Sequence, residues 1–201
     1  MIIASYLHEG KTADALKTIE QLRALAEKEN LIPSIIGSYM TAGYILMESG
    51  NLAEAVKQFE KASKLREESN LPLSVKESGR LQSMMAQCRV LTTVHEYQAA
   101  KAHAEKCREM VQARKNLFEE RDLNGVLGMM ELEQGNYDKA LERFSNADPQ
   151  DPYIWHYMGV AYEQKGDRES ASKLYANVVN WNQNNVGYAI IRPRAMAKMS
   201  K

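Results

Sequence analysis

The residue types that could support chemistry in this chain are few, and the first set lies near the N-terminus. Gly10-Lys11-Thr12 matches the last three positions of a phosphate-binding loop, in which backbone N–H groups and a lysine hold nucleotide phosphates. The complete motif needs a preceding strand and a glycine five residues before Gly10, where this chain has Ser5. We therefore predict a turn followed by the start of a helix here, and no nucleotide site.

His103 and Cys107 are the next candidates, because a spacing of four residues places two side chains on one face of a helix. Two ligands are too few for a structural zinc site, which uses four, and we expect Cys107 to point into the core. His95-Glu96 lacks the second histidine of a zinc-protease motif. No acid or nucleophile lies at a sequence spacing from His8 or His156 that would indicate a catalytic motif. We predict no catalytic residues, no metal, no cofactor and no enzymatic activity.

The elements that carry these residues are patterned as helices. Apolar residues recur at spacings of three and four, which is typical of one face of an amphipathic helix. They are Leu52, Ala55, Val56, Phe59 and Ala62 in one stretch, and Tyr137, Ala140, Leu141 and Phe144 in another. Period-2 alternation of β-branched residues is almost absent, so we predict no sheet.

Turn signals separate the predicted helices. Glycine is followed by Asn or Asp at Gly50-Asn51, Gly135-Asn136 and Gly166-Asp167. Glycine supplies the left-handed residue that ends a helix, and Asn or Asp caps the next one. The segment from Asp148 to Pro152 ends one helix and starts another.

Small and large residues repeat at fixed distances around these turns. We expect the small ones where two antiparallel helices touch and the large ones where gaps need filling. Three copies are Gly43, Gly50, Ala55, Phe59 and Ala62; Gly128, Gly135, Ala140, Phe144 and Ala147; and Gly159, Gly166, Ala171, Tyr175 and Val178. The N-terminal copy fits only the second half, with Tyr6, Gly10, Ala15, Ile19 and Leu22. A further, degenerate copy aligns with the copy that begins at Gly43. It has Cys88, His95, Ala100 and Cys107 at the positions of Gly43, Gly50, Ala55 and Ala62.

The best-preserved copy, with Trp155, Met158, Gly159 and Tyr162 followed by Ala171 and Tyr175, resembles the tetratricopeptide repeat signature. The resemblance implies an all-α fold, a right-handed superhelical α-solenoid of antiparallel helix pairs forming one domain over residues 1–201. It implies repeats at approximately 1–30, 33–69, 72–114, 116–148 and 151–181, and a C-terminal capping helix at 185–200. The turn residues are 40, 45, 40 and 31 residues apart, against a family period of about 34, so we expect longer helices in the first repeats.

Composition limits the partners and the location. Lys plus Arg equals Asp plus Glu at 26 each, which argues against nucleic acid as the main partner. No run of 18 apolar residues is present, so we predict no membrane span. Cys88 and Cys107 both fall at small packing positions, which favours a reducing compartment and a cytoplasmic location. Only about nine residues precede the first turn, so we expect either a shortened cap helix starting at Met1 or a chain excised from a longer protein.

The resemblance also implies a function. Members of this family usually bind other proteins, and the first helix of each pair lines a concave groove. The groove positions carried onto this chain are Met40, Tyr44, Met47, Met85, Arg89, Met129, Tyr153, His156 and Glu163. Four of these nine are methionine, a flexible residue suited to adaptable binding surfaces, although the same residues would also serve as core filling.

We therefore predict a non-catalytic scaffold that binds a peptide or partner protein in its groove. The alternative is a regulatory or sensor domain of a larger protein that binds a small ligand or a signalling peptide. A third possibility is a homo-oligomer formed through the N-terminal end. The lysine and asparagine pair that clamps chaperone carboxylates in some relatives is replaced by Met40 and Tyr44 in the second repeat, so we predict no carboxylate clamp of that kind.

Overall fold

The structure is a computed structural model that describes residues 2–200. These residues form helices and no strand, which confirms the all-α prediction. The helices are α1 Ile2–His8, α2 Thr12–Lys28, α3 Ile32–Glu48, α4 Leu52–Glu68, α5 Leu73–Thr93, α6 Tyr97–Arg114, α7 Leu117–Glu133, α8 Tyr137–Ser145, α9 Pro152–Gln164, α10 Arg168–Asn180 and α11 Val186–Met199. Met1 and Lys201, which the predicted domain includes, lie outside the described residues. No helix in the described part of the chain combines the length and apolar character needed to cross a bilayer.

Neighbouring helices pack as antiparallel pairs joined by tight turns. α1 packs on α2, α3 on α4, α7 on α8 and α9 on α10. The predicted turn glycines have left-handed backbones, with φ of 72° at Gly10, 81° at Gly50, 77° at Gly135 and 83° at Gly166. His95, which the repeat pattern aligns with these glycines, has φ of 62°. The turn predictions are therefore confirmed, including the one at which a histidine bears the steric cost of a left-handed backbone.

The predicted side-chain caps are present at only some helix starts. Asp151 accepts a hydrogen bond from the backbone N–H of Tyr153 at 2.8 Å, and Asp167 accepts from that of Ser170 at 3.0 Å. Asn51 and Asn136 occupy cap positions without a side-chain cap hydrogen bond, so the prediction is wrong for both. The Asn136 amide instead donates to the Glu131 carboxylate at 2.8 Å. A neutral amide does cap one helix, because the Asn116 side chain accepts from the backbone N–H groups of Phe118 at 2.9 Å and Glu119 at 3.4 Å at the start of α7.

The described residues form two compact units. One contains the described residues up to Ala86 together with Asn184–Ile190, and the other contains Gln87–Gln183 together with Ile191 onward. The core of the first unit includes Ala4, Leu7, Ala15, Ile19, Ala42, Ile45 and Ala189. The core of the second includes Leu132, Ala140, Phe144, Ala147, Ile154 and Ala161.

Close contact between a glycine and an aromatic ring joins three of the helix pairs. A Cβ atom on Gly43 would lie 2.5 Å from Cε1 of Phe59, and one on Gly128 would lie 2.5 Å from Cδ1 of Phe144. The same relationship holds for Gly159 and its partner ring on α10. Only glycine leaves room for these rings, so the helices approach closely at the glycines as predicted, and the rings lie against the glycines rather than in gaps elsewhere.

The α5–α6 pair has neither a glycine nor a ring at the corresponding positions. Cys88 stands at the glycine position, and Ala104 stands where the other pairs have an aromatic ring. Both are buried, as is Cys107, and neither cysteine forms a disulfide. The Cys88 thiol lies 3.7 Å from the carbonyl oxygen of Ala100. Compared with the other pairs, the side chain on the first helix is therefore larger, cysteine instead of glycine, and the one on the second helix is smaller, alanine instead of an aromatic residue.

The first pair departs from the predicted pattern at one residue. Ala15 and Ile19 are buried as expected, but Leu22 is 49% exposed. The prediction that Leu22 packs like Ala62 is therefore wrong. The reason is that α1 has 7 residues and α2 has 17, so α1 lies beside only the first part of α2.

Candidate protein-interaction site

The uncovered part of α2 forms one wall of an open cleft in the first unit, which we name the N-terminal cleft. Its volume is about 410 Å³, and one of its ten lining residues is charged. The lining comes from α1, α2, α3 and the α2–α3 turn: Ile3, Ile19, Leu22, Leu25, Ala26, Glu29, Leu31, Ser34, Ser38 and Thr41. The size is that of a pocket for a few side chains.

Large apolar side chains stand exposed on the walls of this cleft. The exposed fractions are 49% for Leu22, 58% for Leu25 and 50% for Leu31. α2 is held in place from its other face, where the Arg23 guanidinium lies 4.3 Å from the centre of the Tyr39 ring. Leu22 and Leu25 lie on this anchored helix, and Leu31 follows it in the turn. The three leucines cannot turn away from solvent unless α2 moves.

The floor of the cleft is a stripe of small residues on α3. Ser34, Ser38 and Thr41 line it, and Gly37 lies on the same helix with open space where a Cβ would stand. The Ser38 hydroxyl donates to the carbonyl oxygen of Ile35 at 2.7 Å. That of Thr41 donates to the carbonyl oxygen of Gly37 at 2.8 Å. Because these hydroxyl hydrogens are used within α3, the floor offers an occupant mainly carbon atoms and a close approach to the backbone.

Charge at the cleft is limited to one lining residue, Glu29. α3 carries a single charged residue, Glu48, at its C-terminal end. Glu20 and Glu27 on α2 are exposed but do not line the cleft. The Glu29 carboxylate is therefore the charge that an occupant would meet, and it favours a basic neighbour.

None of the nine residues predicted to face a groove lines this cleft. In the first unit, Met40, Met47 and Met85 are buried, with exposed fractions of 8%, 7% and 7%, and Tyr44 is half-buried against the ring of Phe59. The remaining five belong to the second unit. There, His156 is buried, while the half-buried residues are Arg89, Met129, Tyr153 and Glu163.

Glu163 takes part in a polar contact between α9, α10 and α11 in the second unit. Its Oε2 atom accepts a hydrogen bond from the Tyr175 hydroxyl at 2.8 Å and one from the Lys198 ammonium at 2.7 Å. Burial, with the hydrogen bond to Glu163, raises the pKa of Tyr175 well above its usual range. His156 packs beside this contact, with its ring 5.6 Å from that of Tyr175. These bonds fix the three helices to one another.

Two other predicted residues lie near the start of α9. The Tyr153 ring is 6.3 Å from the Tyr157 ring on the same helix. Burial raises the pKa of Asp151, and the positive charge of Arg89 partly offsets that rise. Arg89 therefore contributes to the electrostatic environment of the α9 N-terminus.

The residues considered for chemistry have structural roles. Gly10 forms a turn and α2 begins at Thr12, as predicted, while the Lys11 ammonium pairs with Glu9 at 2.6 Å. Nδ1 of His103 lies 3.0 Å from the carbonyl oxygen of Ala99. Within residues 2–200, no group of three or more His, Cys, Asp or Glu side chains is placed to hold a metal ion.

The N-terminal cleft was not predicted, yet the sequence contains a signal for it. Leu22 and Leu25 continue the three- and four-residue spacing of Ala15 and Ile19, so the sequence marks one apolar face along α2. How much of that face is covered depends on the extent of α1, which is Ile2–His8 in the structure.

Comparisons with known proteins find two sequence-family matches and several solved structures. Two sequence families described as tetratricopeptide repeat match residues 131–192 and 36–69. No curated protein matches the chain significantly. A crystal structure of MamA is 18% identical, with 98% of each chain covered and a TM-score of 0.43. A MamA double mutant, RS-1 ArsTM, is 18% identical, with 97% of this chain and 92% of that chain covered and a TM-score of 0.43.

The family matches coincide with the parts of the chain in which glycine–ring contacts and left-handed turn glycines recur. Residues 36–69 contain Gly43, Gly50 and Phe59, and residues 131–192 contain Gly159, Gly166 and Tyr175. On the strength of these matches and of its paired helices, the chain is a tetratricopeptide repeat protein.

Proposed function

We propose that this chain is a non-catalytic protein-interaction module, and that its N-terminal cleft binds an amphipathic helix of a partner protein. The observation that carries the proposal is the exposure of Leu22, Leu25 and Leu31 around a floor of small residues. Scattered apolar residues are ordinary on protein surfaces, but a contiguous set around a concavity marks an interaction site. The two buried, free cysteines support a cytoplasmic location.

The shape of the cleft favours a helix over an extended segment. Elsewhere in the first unit, α3 and α4 have 17 residues each and cover one another along their length. α2 packs on α3 and also has 17 residues, but on its other side it faces a helix of 7, which leaves about ten residues, or roughly 15 Å, beyond the reach of α1. A partner helix of three turns would restore the packing that α3 gives to α4.

The residues that line the cleft also indicate which residue types the partner helix should carry. Apolar anchors at helical spacing would contact the leucine walls, as in other helix-in-groove complexes. Glu29 is the one charged residue that lines the cleft, so the partner helix should carry Lys or Arg beside its anchors. The satisfied hydroxyls of Ser38 and Thr41 leave little for a polar anchor to bind.

The test uses synthetic helices of defined sequence. One peptide of 14 residues has Leu at i, i+3, i+4 and i+7 with Lys on its flanks, and a control peptide has the same composition in scrambled order. We expect the wild-type protein to bind the first peptide more tightly than the second, as measured by fluorescence anisotropy. Equal binding of both peptides would contradict the proposal.

Matched variants locate the binding. Leu22→Ser combined with Leu25→Ser should weaken binding tenfold or more, since each leucine contributes on the order of 1 kcal/mol or more when buried. Leu73→Ser combined with Val75→Ser is the control, because these residues are 64% and 42% exposed and lie outside the cleft. If both double variants bind alike, the N-terminal cleft is not the site.

A second copy of this chain is the other occupant that the experiment must distinguish. Sedimentation velocity at two concentrations reports self-association directly. If the wild-type protein dimerises with increasing concentration and Leu22→Ser with Leu25→Ser stays monomeric, the cleft joins two copies, and the proposal of a separate partner is wrong.

The groove residues predicted from the family resemblance form a second proposal, which concerns other surfaces. The half-buried side chains among them, which a partner could reach without displacing core, are Tyr44, Arg89, Met129, Tyr153 and Glu163. Met129→Glu tests this proposal. Loss of partner capture in a folded variant would support it, and unchanged capture would contradict it. Met40→Glu makes a useful contrast, because Met40 is 8% exposed and a carboxylate there should unfold the protein.

A further inference from the structure

Arg66 is a buried cation near the C-terminal end of α4. Its exposed fraction is 6%, and its Nη1 atom is buried with no hydrogen-bond partner in the described part of the chain. Arginine stays protonated in proteins, and a buried charge is costly unless it is paired. The structure therefore contains a group whose environment is electrostatically incomplete.

Gly79 on α5 makes room for this side chain. A Cβ atom on Gly79 would lie 2.2 Å from Cδ of Arg66 and 2.3 Å from both Cζ and Nε. These are distances that no real side chain could tolerate, so the guanidinium end of Arg66 rests directly against the backbone of α5. Glycine is required here by the position of the arginine.

Ser83 provides a second buried polar group one turn further along α5. It is 7% exposed, and its Oγ atom also has no hydrogen-bond partner among residues 2–200. Residues four apart lie on the same face of a helix, so Ser83 stands next to the position of Gly79 that Arg66 covers. Ser83 and Gly79, against which Arg66 packs, therefore share one face of α5 in the first unit.

Glu67, whose charge acts on Arg66, is hydrogen-bonded to another arginine. Both oxygens of Glu67 accept hydrogen bonds from Arg80, at 2.7 and 2.6 Å. The Lys76 ammonium donates to the backbone carbonyl of Glu67 at 2.8 Å, which adds a further positive charge. Burial lowers the pKa of Arg66, and attraction to Glu67 and Tyr44 does not reverse that change. Glu67 therefore attracts Arg66, while its carboxylate oxygens make their hydrogen bonds with Arg80.

We propose that Arg66 and Ser83 form a binding site for an oxyanion, such as a carboxylate or a phosphate group. The planar guanidinium matches two oxygens of such a group, and the Ser83 hydroxyl can donate to one of them. This site shares no residue with the N-terminal cleft, and it stands whether or not that cleft binds a helix.

The experiment measures thermal unfolding of the whole chain with two probes, inorganic phosphate and acetate, each titrated at constant ionic strength against chloride. We expect a saturable rise of about 2–4 °C in the wild-type midpoint with at least one probe. A rise with phosphate points to a free or esterified phosphate as the natural ligand. A rise with acetate alone points to a carboxylate.

Variants separate a site from a general salt effect. Arg66→Met should fold, since an apolar side chain of similar length removes an unpaired buried charge, and it should abolish the saturable rise. Ser83→Ala should reduce it. Lys64→Met is the control, because Lys64 is an exposed cation on the same helix, and it should keep the full rise. Absence of any saturable rise in the wild type, or an equal rise in Arg66→Met, would overturn the proposal.

Discussion

The backbone of Gly159 lies so close to the Tyr175 ring that a Cβ atom on Gly159 would be 2.6 Å from Cε1 of the tyrosine. Gly43 with Phe59 and Gly128 with Phe144 repeat this relationship within a few tenths of an ångström. In each case the ring belongs to the second helix of a pair and the glycine to the first. The pair closes because one helix has no side chain at the point where the other has its largest.

Replacing this glycine should force the last pair apart. Gly159→Leu is expected to lower the free energy of unfolding by on the order of 1–3 kcal/mol or more, because the ring of Tyr175 cannot leave its place without breaking its bond to Glu163. Urea denaturation followed by circular dichroism measures the change. Gly37→Ala is the matched control, since nothing lies within 4 Å of a Cβ there, and it should be neutral or stabilising. A near-neutral Gly159→Leu variant would contradict the close contact.

The α5–α6 pair, with Cys88 and Ala104 in place of a glycine and a ring, can be tested by restoring the residue types found in the other pairs. Ala104→Phe alone should destabilise the protein by about 1–3 kcal/mol, because the ring would meet Cys88, which is fully buried. Cys88→Gly alone should also destabilise it, through a cavity and a more flexible backbone. The double variant recreates the glycine–ring contact of the other pairs. Its loss of stability should be smaller than the sum of the two, by about 0.5–3 kcal/mol, and strict additivity would show that Ala104 does not face Cys88.

His95 occupies a turn position that favours glycine. With φ of 62°, its backbone is in the left-handed region, at a cost of roughly 1 kcal/mol for a residue with a side chain. His95→Gly should recover part of that cost, reduced by loss of the contact between Nδ1 of His95 and the Tyr97 hydroxyl at 2.7 Å. Thermal unfolding should show a midpoint unchanged or raised by a few degrees. Gly50→Ala is the reverse experiment and should lower the midpoint, since Gly50 has φ of 81°.

The buried phenol of Tyr175 should make stability depend on alkaline pH. Its pKa is raised by burial and by Glu163, so the folded protein retains the phenolic proton at pH values where the unfolded chain loses it. This contribution to stability is complete below the ordinary tyrosine pKa of about 10 and is lost as pH rises above it. Denaturation between pH 9 and 11 should show a smaller loss in Tyr175→Phe than in the wild type. Tyr137→Phe controls for removing a phenol, and equal slopes in all three proteins would contradict the prediction.

Features that depend on neighbouring residues in the chain were predictable from the sequence. A glycine with a left-handed backbone, as at Gly50 or Gly166, is a local requirement of the turn, and it also located the irregular turn at His95. The small-residue positions were predictable for the same reason, because Gly43 and Phe59 keep a fixed distance from their shared turn. These local signals were enough to establish helix pairs and their family.

Features that depend on what lies beside a helix were not predictable in this way. Leu22 continues the spacing of Ala15 and Ile19, and only the shortness of α1 leaves it exposed. Arg66 looks like an ordinary helix-surface residue in the sequence, and its burial follows from the position of Gly79 on the next helix. Spacing places a residue on a helix face, whereas the depth of that residue depends on the length and register of the helices around it.

The small-residue floor of α3 sets a limit on how an occupant can approach. Helices with larger side chains at their contact lie about 10 Å apart, whereas small residues allow about 8 Å. At that separation, Cα–H groups of one helix reach carbonyl oxygens of the other, and the contact depends on backbone shape rather than on side-chain type. A partner helix with glycine, alanine or serine facing Gly37 could dock at the closer distance, and one with a bulky residue there could not. Gly37, the single exposed glycine of α3, would then select partner helices that have no bulky side chain at the point of contact.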